Sequence, residues 1–171
     1  MSMVKNLMRH NNRGDVLPDK DFLEHFDVWH EQHPDQPIFG PIAKHSWLVS
    51  GQNYERLNPQ NDTLRVLPDA SGFLLFEAVK RPDNLVLLDA YGTERMRLDV
   101  PWRMTGATNP EFGKYPTGFI SLETPYPNPT TGEEGKFGVK AYVEGFYGQA
   151  FYFELDYHAG KFLWCYRLER G

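Results

Sequence analysis

The 171-residue chain contains a single cysteine, Cys165, so it can form neither an intrachain disulfide framework nor a zinc site built from cysteines. Cys165 lies within an alternating apolar segment, and we interpret it as a small core side chain. No apolar run is long enough to cross a bilayer as a helix. These absences argue against a disulfide-stapled fold and against a helical membrane span within the sequence.

Positive charge is also scarce. The chain has 18 Lys and Arg residues against 23 Asp and Glu residues, a formal charge of −5. A nucleic-acid-binding protein needs a basic footprint, so this balance predicts no nucleic-acid partner and permits a basic protein partner. Residues 1–13 carry basic side chains but no continuous apolar stretch, which is not the pattern of a secretory signal. We therefore expect a cytoplasmic protein without a membrane partner.

Catalytic signatures are missing as well. The sequence has no Gly-x-Ser-x-Gly elbow, no Walker motif and no dinucleotide fingerprint. In the segment His30-Glu-Gln-His33 the two histidines are three residues apart, whereas the zincin motif needs four, so we predict neither a metal nor a cofactor. We interpret the protein as non-enzymatic, and an enzyme of unrecognised type stays an alternative.

Aromatic residues are abundant, and they concentrate near the end of the sequence. Eleven of the 25 lie between Phe137 and Tyr166, within segments that alternate with a period of two. This period predicts pleated strands with one face in a core. The parity assigns Phe151 and Phe153 to the core face of residues 149–157. In residues 160–168 it places Phe162, Trp164, Tyr166 and Leu168 on one face.

Nine segments show strand patterns separated by short connections rich in turn residues. They are Ser46–Ser50, Thr63–Leu67, Gly72–Lys80, Leu85–Ala90, Arg95–Val100, Gly118–Glu123, Phe137–Glu144, Gln149–Tyr157 and Lys161–Glu169. Such spacing predicts antiparallel hairpins. Thr63–Val100 and Gly118–Glu169 each form a run of four strands, which predicts two meanders.

One helical pattern precedes the strands. Phe22, Phe26 and Trp29 recur at helical spacing between Pro18 and Pro34, which predicts an N-terminal amphipathic helix. Residues 1–17 have the composition of a flexible arm, and residues 18–171 are predicted to form a single β-rich domain. The predicted fold is mostly β: an antiparallel β-sandwich or flattened barrel of eight or nine strands from two meanders, with the helix packed on it.

Tyrosines and acids on the second strand face form the candidate binding site. Tyrosine amid charged residues is typical of recognition surfaces, because it buries a large area at a low entropic cost. The predicted set is Tyr142, Glu144, Tyr147, Tyr152 and Glu154. The alternative is that a second layer of structure covers this face and makes it core. The proline-rich segment 124–135 is a further candidate, because loops of that length are often functional.

We therefore predict a cytoplasmic protein that binds a protein partner, for example a bacterial immunity protein that neutralises a toxin. The first alternative is a small-ligand or carbohydrate-binding β domain that uses Tyr142, Tyr152 and Glu154, since aromatic rings stack on sugars. The second alternative is the unrecognised enzyme, with Glu154 and Asp156 or the histidine-bearing helix as its catalytic groups.

Overall fold

A computed structural model of the chain describes residues 2–19, 31–107, 116–143 and 149–168. Strands account for 48% of these residues, so the protein is mostly β as predicted. The strands are β1 Val4–His10, β2 Val16–Pro18, β3 Lys44–Val49, β4 Gln52–Leu57, β5 Thr63–Val66, β6 Gly72–Phe76, β7 Leu85–Asp89, β8 Glu94–Leu98, β9 Gly118–Glu123, β10 Gly138–Val143, β11 Gln149–Asp156 and β12 Lys161–Arg167. A 3-10 helix spans Trp102–Thr105.

The strands form three antiparallel four-stranded sheets with the orders β2-β1-β3-β4, β5-β6-β7-β8 and β12-β11-β10-β9. All nine predicted strands overlap observed ones, and both predicted meanders are confirmed as sheets of consecutive strands. The described strands do not close into a barrel, so that alternative is wrong. The sandwich arrangement stays a prediction.

The chain divides into two compact units. The first contains Met1–Leu74 and Leu88–Thr93, and the second contains Leu75–Leu87 and Glu94–Gly171. This division does not coincide with the predicted arm over 1–17 and domain over 18–171. The predicted amphipathic helix falls largely on residues 20–30, which lie outside the described residues. No α-helical element is defined in the described part of the chain, and the helix stays a prediction.

In the first unit, β1 is an inner strand, bonded to β2 on one side and to β3 on the other. The segment predicted to be a flexible arm therefore contains an inner strand of a sheet, and Val4 and Leu7 are buried there. The sequence pattern hides this strand because its register shifts between Lys5 and Met8, and Asn6 adopts a positive φ of 53°. A bulge of this kind breaks the period of two.

In the second unit, β11 is buried on both faces. Residues 151–155 are all less than 5% exposed, although the alternation predicted a single core face. Their neighbours on β10 are small, with Val139, Ala141 and Val143 fully buried. The strand is therefore a central one with packing above and below it, which a period of two cannot reveal.

A bulge in β12 changes which of its aromatic residues share a face. Glu154 pairs with Trp164, but Leu155 pairs with Phe162, so Leu163 is the extra residue. Phe162 consequently lies on the Phe153 face, at 5.8 Å between ring centroids. Trp164 and Tyr166 lie instead on the face of Tyr152 and Glu154. The prediction that all three β12 aromatics share one face is wrong for this reason.

Candidate functional site

The five predicted binding residues do not form one open surface. Tyr142 is 37% exposed, but Tyr152 is fully buried and Glu154 is 3% exposed. Glu144 and Tyr147 lie outside the described residues. The face on which Tyr152 and Glu154 lie is therefore covered, as the alternative reading of the sequence allowed, and these two side chains form part of the interior of the second unit.

The proline-rich segment supplies the cover. The ring of Tyr126 stacks on Tyr166 at a centroid distance of 4.9 Å and lies 5.6 Å from the Tyr152 ring. At Gly135, a Cβ atom would come within 2.6 Å of the Tyr126 carbonyl oxygen and 2.8 Å of Glu154 Oε1. Only glycine fits so close an approach. The segment therefore packs against the sheet of the second unit through Tyr126 and Gly135, and a functional role for the rest of the loop stays a prediction.

The Glu154 carboxylate holds the end of this segment to β11. It accepts a hydrogen bond from the Lys136 N–H group at 2.9 Å, a longer one from the Phe137 N–H group at 3.4 Å, and one from the Tyr152 hydroxyl. Burial, and secondarily the adjacent Glu154 carboxylate, raises the pKa of the Tyr152 phenol above its usual value. The phenol therefore stays protonated and continues to donate. These contacts give Tyr152 and Glu154 a structural role.

Among the described residues of the predicted binding site, Tyr142 is the one that is exposed. It lies on β10, and the Lys140 ammonium group lies 6.0 Å from the centroid of its ring. A cation at this distance over an aromatic face interacts weakly with it at an exposed site. Tyr142 therefore remains accessible to a partner, whereas two of the residues predicted to act with it are buried.

A different aromatic surface lies in the first unit, and the sequence analysis missed it. Tyr91 is 47% exposed, and its ring packs edge-on against that of Tyr54 at a centroid distance of 5.4 Å. The Tyr91 and Ser2 hydroxyl groups are 2.8 Å apart. We call Tyr54 and Tyr91 the tyrosine surface. Tyr54 escaped notice because β4 is rich in polar residues, which hides its strand pattern.

Buried Trp47 supports the tyrosine surface from below. It faces Tyr54 across the β3–β4 pair, and the two rings stack at 6.4 Å. The Trp47 indole N–H group donates a hydrogen bond to the Ala90 carbonyl oxygen at 2.8 Å. Gly92 has a φ of +81°, and a Cβ atom there would lie 3.1 Å from the Trp47 ring. The turn that carries Tyr91 therefore rests directly on Trp47.

No metal or reactive-thiol site emerges from the described residues. They contain no group of three or more His, Cys, Asp or Glu residues that could hold a metal ion. His25 and His30 of the predicted helix lie outside them. Burial raises the pKa of the Cys165 thiol, which disfavours the reactive thiolate. Among the described residues, no helix is long and apolar enough to span a membrane.

A basic cluster also lies in the first unit, formed by the buried Arg9 on β1 and His45 on β3 and by the half-buried Arg65 on β5. Arg9 and His45 are cross-strand partners and are 4% and 2% exposed. Arg9 forms an ion pair with Asp19 and donates to the Leu64 carbonyl oxygen at 3.5 Å. The cluster left no sequence signal because its members come from three separate strands.

The environment of His45 predicts a pH-dependent stability. Burial, then the charges of Arg9, Arg56 and His10, lowers the pKa of His45 from 6.5 to about 4. On acidification, His45 is therefore protonated in the unfolded chain at a higher pH than in the folded protein. The free energy of unfolding should fall by about 1–3 kcal/mol as the pH drops from about 6.5 to about 4, and this contribution should be constant above that window.

Urea unfolding at several pH values checks this expectation. The variant His45→Gln removes the titrating group and should flatten the pH dependence across that window. His158→Gln is the matched control, because it replaces an exposed histidine and leaves His45 in place. Equal slopes for His45→Gln and the unmodified protein would show that His45 is not held neutral by the fold.

Comparisons with known proteins identify the fold. No protein-family model and no curated protein matches the chain. The chain is similar to one chain of a solved structure of Tne2 in complex with Tni2. The match has a TM-score of 0.64 at 12% sequence identity and covers 98% of this chain and 100% of that one. At this identity the likeness shows a shared fold.

Proposed function

We propose that this is a non-enzymatic cytoplasmic protein that binds a protein partner, and that its concrete role is that of a bacterial immunity protein neutralising a toxin. The observation that carries the proposal is the fold match over the whole length of the chain. The matched chain belongs to a solved complex of two proteins, Tne2 and Tni2. A chain that shares this fold over its whole length therefore occurs in a complex of two proteins.

The tyrosine surface is the contact that the geometry supports best. Interface hot spots favour tyrosine, and a ring already held in place loses little entropy on binding. Tyr91 is held by Tyr54 and by the turn on Trp47. The net charge of −5 favours a basic partner through electrostatic complementarity.

Tyr142 is the alternative contact, with Glu144 and Tyr147 from the original sequence prediction. No structural observation favours the carbohydrate-binding alternative, because a sugar could contact Tyr152 and Glu154 only if they were exposed, and both are buried. The same burial removes Glu154 as an accessible partner for Asp156 in an acid–base pair.

Affinity purification tests the function itself. The tagged chain, recovered from its native cells and also co-expressed with the product of a neighbouring gene, should retain one protein at a fixed stoichiometry. Mass spectrometry identifies that protein, and a toxicity assay with and without the chain tests neutralisation. A clean monomer that retains nothing under several salt conditions would overturn the proposal.

Two single substitutions test the proposed surface once the partner is known. Tyr91→Ala should raise the dissociation constant about thirtyfold, the effect of losing a hot spot of about 2 kcal/mol. Tyr142→Ala is the matched control, because it removes an equally large exposed ring in the second unit and should change binding less than threefold. Calorimetric titration measures both. The reverse order of effects would move the contact to the Tyr142 face.

A further inference from the structure

The basic cluster of the first unit opens onto a cavity of about 450 Å³. Arg9, His45 and Arg65 line it together with apolar side chains, among them Ile38, Ile42 and Leu64. A cavity of this volume lies within the range of small-molecule sites, which combine apolar walls with a few polar groups. It shares no lining residue with the tyrosine surface.

Among the nitrogen atoms of this lining, His45 Nδ1 and Arg65 Nη1 are buried without a hydrogen-bond partner in the described structure. Buried polar groups in proteins are nearly always hydrogen-bonded, so each such exception calls for a missing partner. His45 is 2% exposed, which leaves its imidazole without bulk water as that partner. A ligand that accepts hydrogen bonds from both groups would satisfy them together.

The electrostatics favour an acceptor with negative charge. Burial is the largest cause that lowers the pKa of the Arg65 guanidinium, the Arg9 charge lowers it further, and Asp19 partly opposes both. Asp19 is already ion-paired with Arg9, and Asp62 is the acidic residue within the described lining. An anion beside Arg65 would offset the repulsion between the two arginines and accept charge-assisted hydrogen bonds.

We propose that this cavity binds a small oxyanion, a phosphate or carboxylate group, between the Arg65 guanidinium and the His45 imidazole. The oxyanion accepts hydrogen bonds from Arg65 Nη1 and His45 Nδ1, and the apolar wall accommodates the body of the molecule that carries it. This activity is separate from partner binding, since the residues concerned do not overlap with the tyrosine surface.

Thermal unfolding with added anions tests the proposal. Phosphate, sulfate and acetate are compared at constant ionic strength, with sodium chloride as the reference. A site specific to the folded state should produce a saturable rise in the melting temperature beyond that of chloride. A larger effect of phosphate assigns a phosphate-type ligand, and a larger effect of acetate assigns a carboxylate. No saturable effect from any of the three would overturn the proposal.

A charge-matched pair of variants localises the site. Arg65→Gln should weaken anion binding by about tenfold or more, because it removes a charged donor. Arg81→Gln removes one positive charge from an exposed arginine in the second unit and should leave anion binding unchanged. Equal binding by the two variants would place the anion elsewhere.

A readout on the unmodified protein does not depend on how a variant folds. The charged and titratable groups that act on His45 are Arg9, Arg56 and His10, and all three disfavour its protonation. A bound anion acts in the opposite direction. Sulfate, whose charge is constant in this range, should therefore bind about threefold more tightly or better at about pH 5.5 than at about pH 7.5. Nuclear magnetic resonance of the His45 ring should follow the same saturation curve. An unperturbed His45 resonance at saturating sulfate would overturn the assignment.

Discussion

Replacement of Glu154 by alanine is expected to lower the free energy of unfolding by about 3–5 kcal/mol, since the buried donors it leaves cost about 1–3 kcal/mol each. The substitution removes the acceptor of the Lys136 and Phe137 N–H groups and of the Tyr152 hydroxyl. Glu154 itself is 3% exposed, so water cannot take its place without opening the structure. Urea unfolding followed by tryptophan fluorescence measures the loss.

The same proline-rich segment offers a matched control. Glu134 is exposed, and Glu134→Ala should change the free energy of unfolding by less than about 0.5 kcal/mol, as surface substitutions generally do. Glu154→Gln should lower the free energy of unfolding by an amount between those of Glu154→Ala and Glu134→Ala, because the amide oxygen still accepts hydrogen bonds from the backbone N–H groups. If Glu154→Ala were as harmless as Glu134→Ala, the carboxylate would not be what fastens the segment to β11.

Trp47→Ala should lower the free energy of unfolding by about 3–5 kcal/mol, which is the usual cost of deleting a large buried aromatic ring. Trp47 is 2% exposed and packs edge-on against Phe73 at a centroid distance of 4.8 Å. Its removal also takes away the support of Tyr54 and of the turn at Gly92. Partner binding should therefore weaken by at least as much as it does in Tyr91→Ala.

Two further variants separate packing from hydrogen bonding. Trp47→Phe keeps a ring in the core but loses the indole donor to the Ala90 carbonyl oxygen, so it should be less destabilising than Trp47→Ala. Trp102→Ala removes a partly exposed indole from the second unit and should cost less than either. Calorimetric melting of the four proteins ranks them. A loss in Trp102→Ala equal to that in Trp47→Ala would contradict the role given to Trp47.

The two meanders were predictable because their strands carry a local signal. Each strand from β5 to β12 has apolar residues at strand-like spacing, and turn residues such as those around Gly92 and Gly160 separate them. The sheet β2-β1-β3-β4 was largely missed for equally local reasons. A bulge at Asn6 interrupts β1, and β4 is too polar to stand out. Where the local sequence pattern agrees with the way the strands pair, the sequence is enough to predict the sheet.

The binding site could not be located by the same route. Strand parity correctly places Tyr152 and Glu154 on one face, but it does not say whether another part of the chain covers that face. The cover comes from Tyr126 and Gly135, which are distant in sequence from the strand they contact. The tyrosine surface likewise joins Tyr54 to Tyr91 across a long stretch of chain. Such contacts depend on how the chain folds back, which no local periodicity encodes.

By itself, the sequence determined a mostly β protein with two four-stranded meanders, a scarcity of positive charge and no catalytic signature, because composition and alternation are local properties. Tertiary structure alone decided that the proline-rich segment buries Tyr152 and Glu154 and that Tyr91 stands exposed on Trp47. It alone gathered Arg9, His45 and Arg65 around one cavity. These decisions rest on long-range packing, in which the environment of a side chain is set by residues far from it in the sequence.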